Sequence, residues 1–253
     1  MISEIALVTG ATSGIGEATA RLLAKNKYNL ILLGRRADRL NALAAELEKE
    51  FGIATHCITA DVTQKDLVFE QIGKLPSAFR NINILVNNAG LAAGLGPVDE
   101  GLLSDWESMI DTNVKGLLYV SKAVIPLMPK DGSAHIVNVG SIAGKEAYAN
   151  GNVYCATKAA VDQLTKGMRI DLARFPIRVS VIHPGAVETE FSMVRFKGDT
   201  ERAAKVYEGF ENLVASDCAE AIWFMLNRPK HVNINELVIM PTAQPNASTI
   251  LRK

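Results

Sequence analysis

The chain has 253 residues, of which 48% are hydrophobic and 21% are charged, and its formal net charge is zero. This composition indicates a folded domain with a substantial core and excludes an intrinsically disordered chain. The balanced charge argues against electrostatic binding to nucleic acid or to an anionic membrane, so neither partner is expected.

Short aliphatic runs alternate with longer amphipathic segments along the chain. Five of the short runs are apolar on consecutive residues, which is typical of strands in a sheet covered on both faces. They are residues 5–8, 30–33, 84–86, 135–139 and 178–182, and residues 55–58 and 237–240 are weaker strand predictions. The predicted helices are residues 14–25, 37–50, 63–75, 103–128, 153–175 and 217–227.

This alternation predicts right-handed βαβ units and therefore an α/β fold, a doubly wound parallel sheet of about seven strands with helices on both faces. No internal repeat, low-complexity tract or flexible linker marks a boundary, so we expect a single domain over residues 1–253. No basic leader with a cleavage site opens the sequence, and no apolar stretch reaches the ~20 residues of a membrane-spanning helix. A cytoplasmic location without membrane attachment is expected.

A glycine-rich turn joins the first strand to the first helix, in the order Thr9-Gly10-Ala11-Thr12-Ser13-Gly14-Ile15-Gly16. Glycines at this point allow a sharp turn and let backbone N–H groups approach a diphosphate at the positive end of a helix. An ordinary strand-to-helix turn needs one glycine rather than three. The pattern predicts a dinucleotide site formed by Gly10, Thr12, Ser13, Gly14, Ile15 and Gly16.

The second strand ends at Gly34-Arg35-Arg36. This point lies about 20 residues after the glycine turn, where a dinucleotide-binding fold presents the side chain that selects the ribose. A carboxylate there would accept hydrogen bonds from a 2′-hydroxyl, whereas a guanidinium binds phosphate. We therefore predict NADP(H) rather than NAD(H), with Arg35 and Arg36 as the readers of the 2′-phosphate. In the alternative, both arginines only begin a solvated helix.

Tyr154 and Lys158 lie four residues apart within a predicted helix, and so they share one face of it. A phenol with a pKa of about 10 is a poor proton shuttle at neutral pH. A nearby positive charge favours the phenolate and lowers that pKa toward the working range. The pair is a candidate acid/base device, although a surface lysine beside a half-buried tyrosine would give the same spacing.

The cysteines and histidines show no chemical motif. The three cysteines lack a CxxC spacing, and the four histidines lack the spacing of metal ligands. Neither a disulfide framework nor a metal site is expected. The histidines interpreted as structural residues are His56, His135, His183 and His231.

Together these motifs resemble the short-chain dehydrogenase/reductase family over essentially the whole chain. The resemblance depends on Thr9-Gly10-(x)3-Gly14-x-Gly16, Asp61-Val62, Asn87-Asn88-Ala89-Gly90, Asn113, Ser141, Tyr154-(x)3-Lys158 and Pro184-Gly185, in the order and spacing of the family. It implies a Rossmann-like fold and an enzyme that interconverts alcohols and carbonyl compounds with NADP(H).

The resemblance also implies a role for each matching residue. Tyr154 would be the general acid in reduction and the base in oxidation, and Lys158 would lower its pKa and hold the nicotinamide ribose. Ser141 would hydrogen-bond the substrate oxygen, and Asn113 would anchor a water relay to Lys158. Further cofactor contacts would come from Asp61 and Val62 at the adenine, from Asn87, Ala89 and Gly90 along the ribose and diphosphate, and from Pro184, Gly185, Val187 and Thr189 around the nicotinamide.

Residues 87–94, 106–118, 151–158, 194–199 and 231–242 resemble one subgroup more closely, the NADP-dependent 3-hydroxy acid dehydrogenases. This subgroup includes serine and allo-threonine dehydrogenases and reduces malonic semialdehyde, and its members are typically homotetramers. The resemblance therefore implies a small 3-hydroxy or 3-oxo acid as the substrate and a homotetrameric assembly.

The polar segment 188–212 is expected to form a substrate lid. A small hydroxy acid needs a cation opposite its carboxylate, and an arginine can hold that group with two hydrogen bonds. We predict that Arg195 is this residue; a solvent-facing arginine, or one in a subunit contact, is the alternative. Two other functions stay open: a reductase of bulkier carbonyls, such as 3-oxoacyl thioesters, steroids or xenobiotic ketones, and an NADPH-binding sensor without catalysis.

Overall fold

A computed structural model describes residues 4–253 of the chain. Strands lie at the five predicted runs and at the two weaker predictions. They are β1 (Ile5–Thr9), β2 (Asn29–Gly34), β3 (Thr55–Thr59), β4 (Ile82–Asn87), β5 (His135–Val139), β6 (Arg178–Pro184) and β7 (Glu236–Ile239). Residues 1–3, the start of the segment in which no leader is expected, lie outside the described residues.

All seven strands form one parallel sheet in the order β3-β2-β1-β4-β5-β6-β7. Successive residues of β1 alternate between two apolar cores, with Ala6 and Val8 in the core on one face and Ile5 and Leu7 in the core on the other. Burial of both faces explains why the central strands are apolar on consecutive residues. The predicted single-domain, doubly wound α/β fold is confirmed.

Helices cover both faces of this sheet. They are α1 (Gly14–Lys25), α2 (Ala37–Phe51), α3 (Lys65–Gly73), α4 (Leu103–Ile110), α5 (Leu117–Val124), α6 (Asn152–Leu172), α7 (Phe191–Arg195), α8 (Thr200–Lys205) and α9 (Ala215–Leu226). Within residues 4–253, every helix is either too short or too polar to cross a lipid bilayer.

The predicted helix 103–128 is interrupted in the structure. A π-helical segment, Asp111–Gly116, separates α4 from α5. Pro126 lies in a 3₁₀ turn directly after α5, where its missing N–H ends the α-helical hydrogen bonding. The short helices α7 and α8 were not predicted, because their five and six residues are too few to show a helical period.

The carboxyl ends of β1 and β4 lie side by side, and the helices that follow these strands pack on opposite faces of the sheet. A crevice opens at such a point, and the glycine turn after β1 lies at it. A Cβ on Gly16 would come within 2.3 Å of Gly10 O, and Gly10 itself has a φ of +65°. Glycine is required at both positions, at one for the close crossing and at the other for the left-handed backbone.

Candidate active site

A cavity of about 450 Å³ opens at the carboxyl ends of the strands. Its walls contain both the glycine turn and the Tyr154–Lys158 pair, which are far apart in the sequence. The predicted site residues that line it are Gly10, Thr12, Ser13, Gly14, Ile15, Arg35, Arg36, Asp61, Val62, Ala89, Gly90, Ser141, Tyr154, Lys158, Pro184, Gly185, Val187, Thr189 and Arg195. The fold therefore brings residues predicted for cofactor, catalysis and substrate into one cavity.

Three other predicted site residues, Gly16, Asn87 and Asn113, do not line this cavity. The Asn87 side chain is buried, and its Nδ2 donates hydrogen bonds of 2.9 Å to Ser121 Oγ and to Asn138 Oδ1. Asn87 thereby ties β4 to α5 and β5 behind the cavity wall. Its contact with the cofactor stays a prediction.

Asn113 is buried within the π-helical segment and joins three parts of the chain around the cavity. Its Oδ1 accepts a hydrogen bond of 2.8 Å from Leu91 N, while its Nδ2 donates to Leu91 O at 2.8 Å and to Thr157 Oγ1 at 3.0 Å. A Cβ on Gly90 would lie 3.2 Å from Asn113 Oδ1 and 3.4 Å from Lys158 Nζ. The two polar atoms therefore flank one glycine, and the water relay between them stays a prediction.

Tyr154 and Lys158 lie one turn apart on α6, and both side chains are buried. Lys158 Nζ is 5.9 Å from the centre of the Tyr154 ring and donates a hydrogen bond of 2.9 Å to Val139 O, at the end of β5. Ser141 follows the same strand, and its Oγ accepts a hydrogen bond of 3.1 Å from Ala143 N. The relative position of α6 and β5 therefore sets the geometry of all three residues.

Burial dominates the protonation of the tyrosine and the lysine. It raises the pKa of the Tyr154 phenol, while the neighbouring Ser141 hydroxyl and the Arg195 charge oppose this effect in part. Burial also lowers the pKa of Lys158 to about 8. Burial is thus the largest influence on the pKa of the Tyr154 phenol, and the lowering of that pKa by Lys158 stays a prediction.

Arg195 is the last residue of α7 and lies beside Tyr154, with its guanidinium carbon 5.7 Å from the centre of that ring. Nε donates a hydrogen bond of 3.1 Å to Gly94 O, and Nη1 donates one of 2.9 Å to Tyr148 Oη. Nη2 is buried and has no hydrogen-bonding partner among the described residues. Two of the nitrogens hold the side chain in place, and the third can bind another group.

The two arginines after β2 differ in their contacts. Arg36 donates from Nε and Nη2 to Thr12 Oγ1 at 3.1 and 3.0 Å, and from Nη1 to Glu190 at 2.7 Å. Arg35 is more exposed, and its Nη1 lies 3.6 Å from Asp61 Oδ2. Arg36 therefore supports the glycine turn, while Arg35 keeps its donors available to a phosphate.

Several residues of the cavity wall were not predicted as site residues from the sequence, and Tyr148, Glu190 and Phe191 are among them. Tyr148 binds Arg195, Glu190 binds Arg36 and Arg39, and the centre of the Phe191 ring lies 5.6 Å from that of the Tyr154 ring. None of them belongs to a motif with a fixed spacing. Glu190 and Phe191 lie within the predicted lid segment 188–212, whereas Tyr148 has no sequence signal beyond its position between Ser141 and Tyr154.

The lining of the cavity fits a dinucleotide that carries a 2′-phosphate. The first turn of α1 borders the cavity, and the positive end of a helix favours a diphosphate. The close glycine crossing leaves space that a side chain would fill, and two arginines add positive charge at the end of β2. Fold and site together define an NADP(H)-dependent oxidoreductase of the doubly wound α/β class.

Comparison with known proteins identifies the family. Residues 4–200 match the family described as short chain dehydrogenase, and the chain belongs to it. The NADP-dependent 3-hydroxy acid dehydrogenase YdfG of Salmonella typhi is 48% identical over 243 residues, which cover 95% of this chain and 96% of that protein. The serine 3-dehydrogenase of Agrobacterium fabrum is 44% identical over 243 residues, which cover 96% of each.

A solved structure agrees with these relatives. The closed form of a serine dehydrogenase complexed with NADP⁺ matches with a TM-score of 0.91 and 45% identity, over 98% of this chain and 99% of that one. The predicted family, oxidoreductase class and NADP(H) cofactor are therefore confirmed.

The pKa shifts predict different pH dependences for the two directions of the reaction. If Tyr154 is the acid/base residue, as the sequence predicts, alcohol oxidation needs its phenolate as a base and carbonyl reduction needs its phenol as an acid. Burial raises the pKa of Tyr154, and Lys158 keeps its stabilising charge only below a pKa of about 8. We therefore expect kcat/KM for oxidation to rise from about pH 7 to about pH 8 and then to level off, and kcat/KM for reduction to stay level up to about pH 8 and then to fall. Steady-state rates in both directions measure this.

Tyr154→Phe is the control for that pH profile. It should lower kcat in both directions by at least ~100-fold while NADPH still binds, because only the proton-transfer group is removed. An oxidation rate that is flat over the same pH range in the unmodified enzyme would contradict the assignment of the base.

Proposed function

We propose that this enzyme transfers a hydride between NADP(H) and a small 3-hydroxy or 3-oxo acid, such as serine, allo-threonine or 3-hydroxypropionate. The observation that carries the proposal is the Arg195 guanidinium beside Tyr154, whose buried Nη2 has no hydrogen-bonding partner among residues 4–253. The relatives named as 3-hydroxy acid and serine dehydrogenases support the same substrate class.

The bound cofactor supplies the hydride chemistry, and the protein supplies proton transfer and orientation. Tyr154 gives its phenolic proton to the substrate oxygen during reduction and takes it back during oxidation. Ser141 donates a hydrogen bond to the same oxygen, where negative charge develops. Lys158 is charged below its pKa of about 8 and stabilises the phenolate that is left on Tyr154.

A carboxylate on the substrate would complete the hydrogen bonding of Arg195. An unpaired buried donor costs free energy, and a charge-assisted bond to a carboxylate recovers it. A 3-hydroxy acid has one carbon between its carboxylate and its carbinol carbon. The 5.7 Å between the guanidinium carbon and the Tyr154 ring centre suits a molecule this short, with its hydroxyl at the phenol and its carboxylate at the arginine.

The two other functions have less support from the site. A 3-oxoacyl chain, a steroid or a xenobiotic ketone gains most of its binding free energy from apolar surface, whereas the wall beside Tyr154 carries Arg195 and the Tyr148 hydroxyl. A sensor without catalysis needs no proton-transfer group. It would have no use for Ser141, Tyr154 and Lys158 together.

The substrate class is tested by following NADPH formation with L-serine, L-allo-threonine, 3-hydroxypropionate and 3-hydroxyisobutyrate, with NAD⁺ run in parallel. We expect turnover of at least one of these acids with NADP⁺ and much slower turnover with NAD⁺. No turnover of any of the four by an enzyme that binds NADPH tightly would overturn the proposal and favour a bulkier ketone.

Arg195→Met is expected to raise KM for the hydroxy acid by ~10- to 100-fold, because a charge-assisted hydrogen bond is lost. KM for an uncharged short-chain alcohol should change little. Lys205→Met is the matched control, because Lys205 is exposed on α8 and pairs with Glu201 at 2.6 Å. Equal effects of Arg195→Met on the acid and on the alcohol would show that Arg195 does not bind the carboxylate.

We also propose that Arg35 reads the 2′-phosphate, while Arg36 supports the cofactor through Thr12. Arg35→Asp should raise Kd for NADPH at least ~tenfold and change Kd for NADH little, because a phosphate then faces a like charge. Arg36→Ile should weaken both cofactors together, since its hydrogen bonds to the glycine turn are lost. Fluorescence titrations measure these constants, and an unchanged preference in Arg35→Asp would exclude Arg35 as the reader.

We propose further that residues 188–212 form the substrate lid and that the enzyme is a homotetramer. Large apolar side chains are exposed on three neighbouring helices, and further copies of the chain would cover them; these are Leu103 and Ile110 on α4, Leu118 on α5 and Ile170 on α6. Sedimentation should give four times the 27.3-kDa mass of the chain, and a monomer would contradict this. The cytoplasmic location stays a prediction, which cell fractionation would test.

A further inference from the structure

Tyr148 lines the same cavity as Tyr154 and Arg195, and its hydroxyl is a partner of the arginine. Arg195 Nη1 donates a hydrogen bond of 2.9 Å to Tyr148 Oη. The guanidinium carbon lies 5.5 Å from the centre of the Tyr148 ring and 5.7 Å from that of the Tyr154 ring. One cation and two phenols therefore share one part of the cavity wall.

The start of α6 fixes the position of the Tyr148 ring. A Cβ on Gly151 would lie 2.2 Å from Tyr148 Cε2, so the ring lies directly against the backbone that leads into the helix. Gly151 N also donates a hydrogen bond of 3.2 Å to Tyr148 O. Tyr154 follows three residues after this glycine, on the first turn of α6. The two phenols are thus held by the same end of one helix.

The hydrogen bonds of the Tyr148 hydroxyl leave one donor without an acceptor. A phenol offers one O–H donor besides its acceptor lone pairs, whereas a guanidinium can only donate. The bond from Arg195 therefore uses a lone pair of Oη and leaves the phenol proton free. Among residues 4–253, this bond is the only hydrogen bond that Tyr148 Oη makes. The O–H is therefore available to a molecule bound in the cavity.

The surroundings of Tyr148 keep this donor protonated. Burial raises the pKa of its phenol, and the Arg195 charge opposes that effect only in part. The hydroxyl therefore carries its proton at neutral pH. An oxygen that accepts a hydrogen bond is polarised by it and becomes a better donor, and here the bond comes from a cation.

Support of Arg195 is the alternative role for Tyr148. Gly94, however, already holds the arginine at two points, because Gly94 O accepts from Arg195 Nε at 3.1 Å and Gly94 N donates to Arg195 O at 3.0 Å. These bonds fix both the backbone and the side chain of the arginine. The arginine has a support of its own, so support alone does not account for the tyrosine hydroxyl.

We propose that Tyr148 is a further substrate-binding residue, whose hydroxyl donates a hydrogen bond to the substrate carboxylate beside Arg195. Tyr148 Oη and Arg195 Nη1 are 2.9 Å apart, so the phenol and the guanidinium can contact one acidic group together. This contact rests on the function proposed above, in which Arg195 binds the carboxylate. A single O–H needs only one oxygen of that group, and so it adds affinity without requiring a particular shape.

Tyr148→Phe removes the hydroxyl and keeps the ring. We expect KM for the best of the four hydroxy acids to rise about tenfold, because a hydrogen bond to a charged group is lost. The value of kcat should stay within about threefold, and Kd for NADPH should not change, because the phenol touches neither the reacting atoms nor the cofactor. KM for an uncharged short-chain alcohol should change little.

Tyr119→Phe is the matched control for the loss of a phenol hydroxyl. Tyr119 lies on α5, packs against the core and does not line the cavity. All the constants should stay unchanged in this variant. An unchanged KM for the hydroxy acid in Tyr148→Phe, or an equal rise of KM for the acid and for the uncharged alcohol, would overturn the proposal.

Tyr148→Phe combined with Arg195→Met separates a direct contact from support of the arginine. If the phenol contacts the carboxylate itself, its loss raises KM for the acid again in the Arg195→Met enzyme, by at least ~threefold. No further rise would show that Tyr148 acts only through Arg195, which would overturn the proposal.

The single variants separate this proposal from the function on which it rests. An unchanged KM for the acid in both Arg195→Met and Tyr148→Phe would refute the carboxylate site as a whole. A raised KM in Arg195→Met with an unchanged KM in Tyr148→Phe would refute only the role of the tyrosine.

Calorimetry measures the same contact without turnover, in enzyme that carries Tyr154→Phe and has NADP⁺ bound. We expect Kd for the hydroxy acid to rise about tenfold when Tyr148→Phe is added, for the reason given above. An equal Kd in the two enzymes would overturn the proposal. No binding of the acid to either enzyme would refute the proposed substrate class.

Discussion

The close contact between α6 and the end of β5 is the constraint on which the geometry of the candidate active site depends. A Cβ on Gly144 would lie 2.6 Å from the carbonyl of Lys158, so the turn after Ser141 touches the helix backbone directly. This approach buries the Lys158 ammonium, and its hydrogen bond to Val139 O offsets part of the desolvation cost. The remaining cost is visible in the pKa of about 8. The same burial raises the pKa of the Tyr154 phenol, which suits the role of acid in reduction that is proposed for it.

The two ends of the cavity are connected through the five residues of α7. Glu190, directly before this helix, binds Arg36 and Arg39 near the end of β2. Arg195, its last residue, binds Gly94 and Tyr148 at the other end. A helix this short has little stability of its own. Its position therefore depends on these ion pairs and hydrogen bonds. The same helix thus contacts both the end of the cavity near β2 and the end near Tyr154.

The sequence predicts the sheet well because burial on both faces demands apolar residues at consecutive positions, as in residues 135–139, where the predicted and observed bounds agree. The glycine turn is predictable for a similar reason, since close backbone approach leaves only one residue type. The π-helical segment is not predictable in this way. Its residues fit a continuous amphipathic helix. Its wider turn is associated with the hydrogen bonds that Asn113 makes to Leu91 and Thr157, and the sequence of the helix does not show these bonds.

Side-chain partners are the part of the site that local patterns miss. The adjacent residues Arg35 and Arg36 look equivalent in the sequence, yet only the second is held by Thr12 and Glu190. Likewise, Lys145 and Glu236 are far apart in the sequence, yet they form an ion pair at 2.6 Å beside Asp162 of α6. Such pairings depend on which strand lies beside which helix, and this information is absent from the spacing of residues along one segment.

The hydrogen bonds that Arg195 already makes within the protein also affect how selectively the enzyme can bind a substrate. Two nitrogens of the guanidinium, Nε and Nη1, already donate hydrogen bonds to Gly94 and Tyr148. The guanidinium therefore has fewer free donors for a planar contact through two hydrogen bonds with a carboxylate. If Arg195 binds the substrate as proposed, recognition depends more on negative charge than on the shape of the acidic group. Length is restricted more strongly, because the proton donor and the cation lie within one small cavity. If Arg195 binds the substrate as proposed, the site discriminates by charge and by the distance from charge to hydroxyl, and it tolerates variation at the carbons between them.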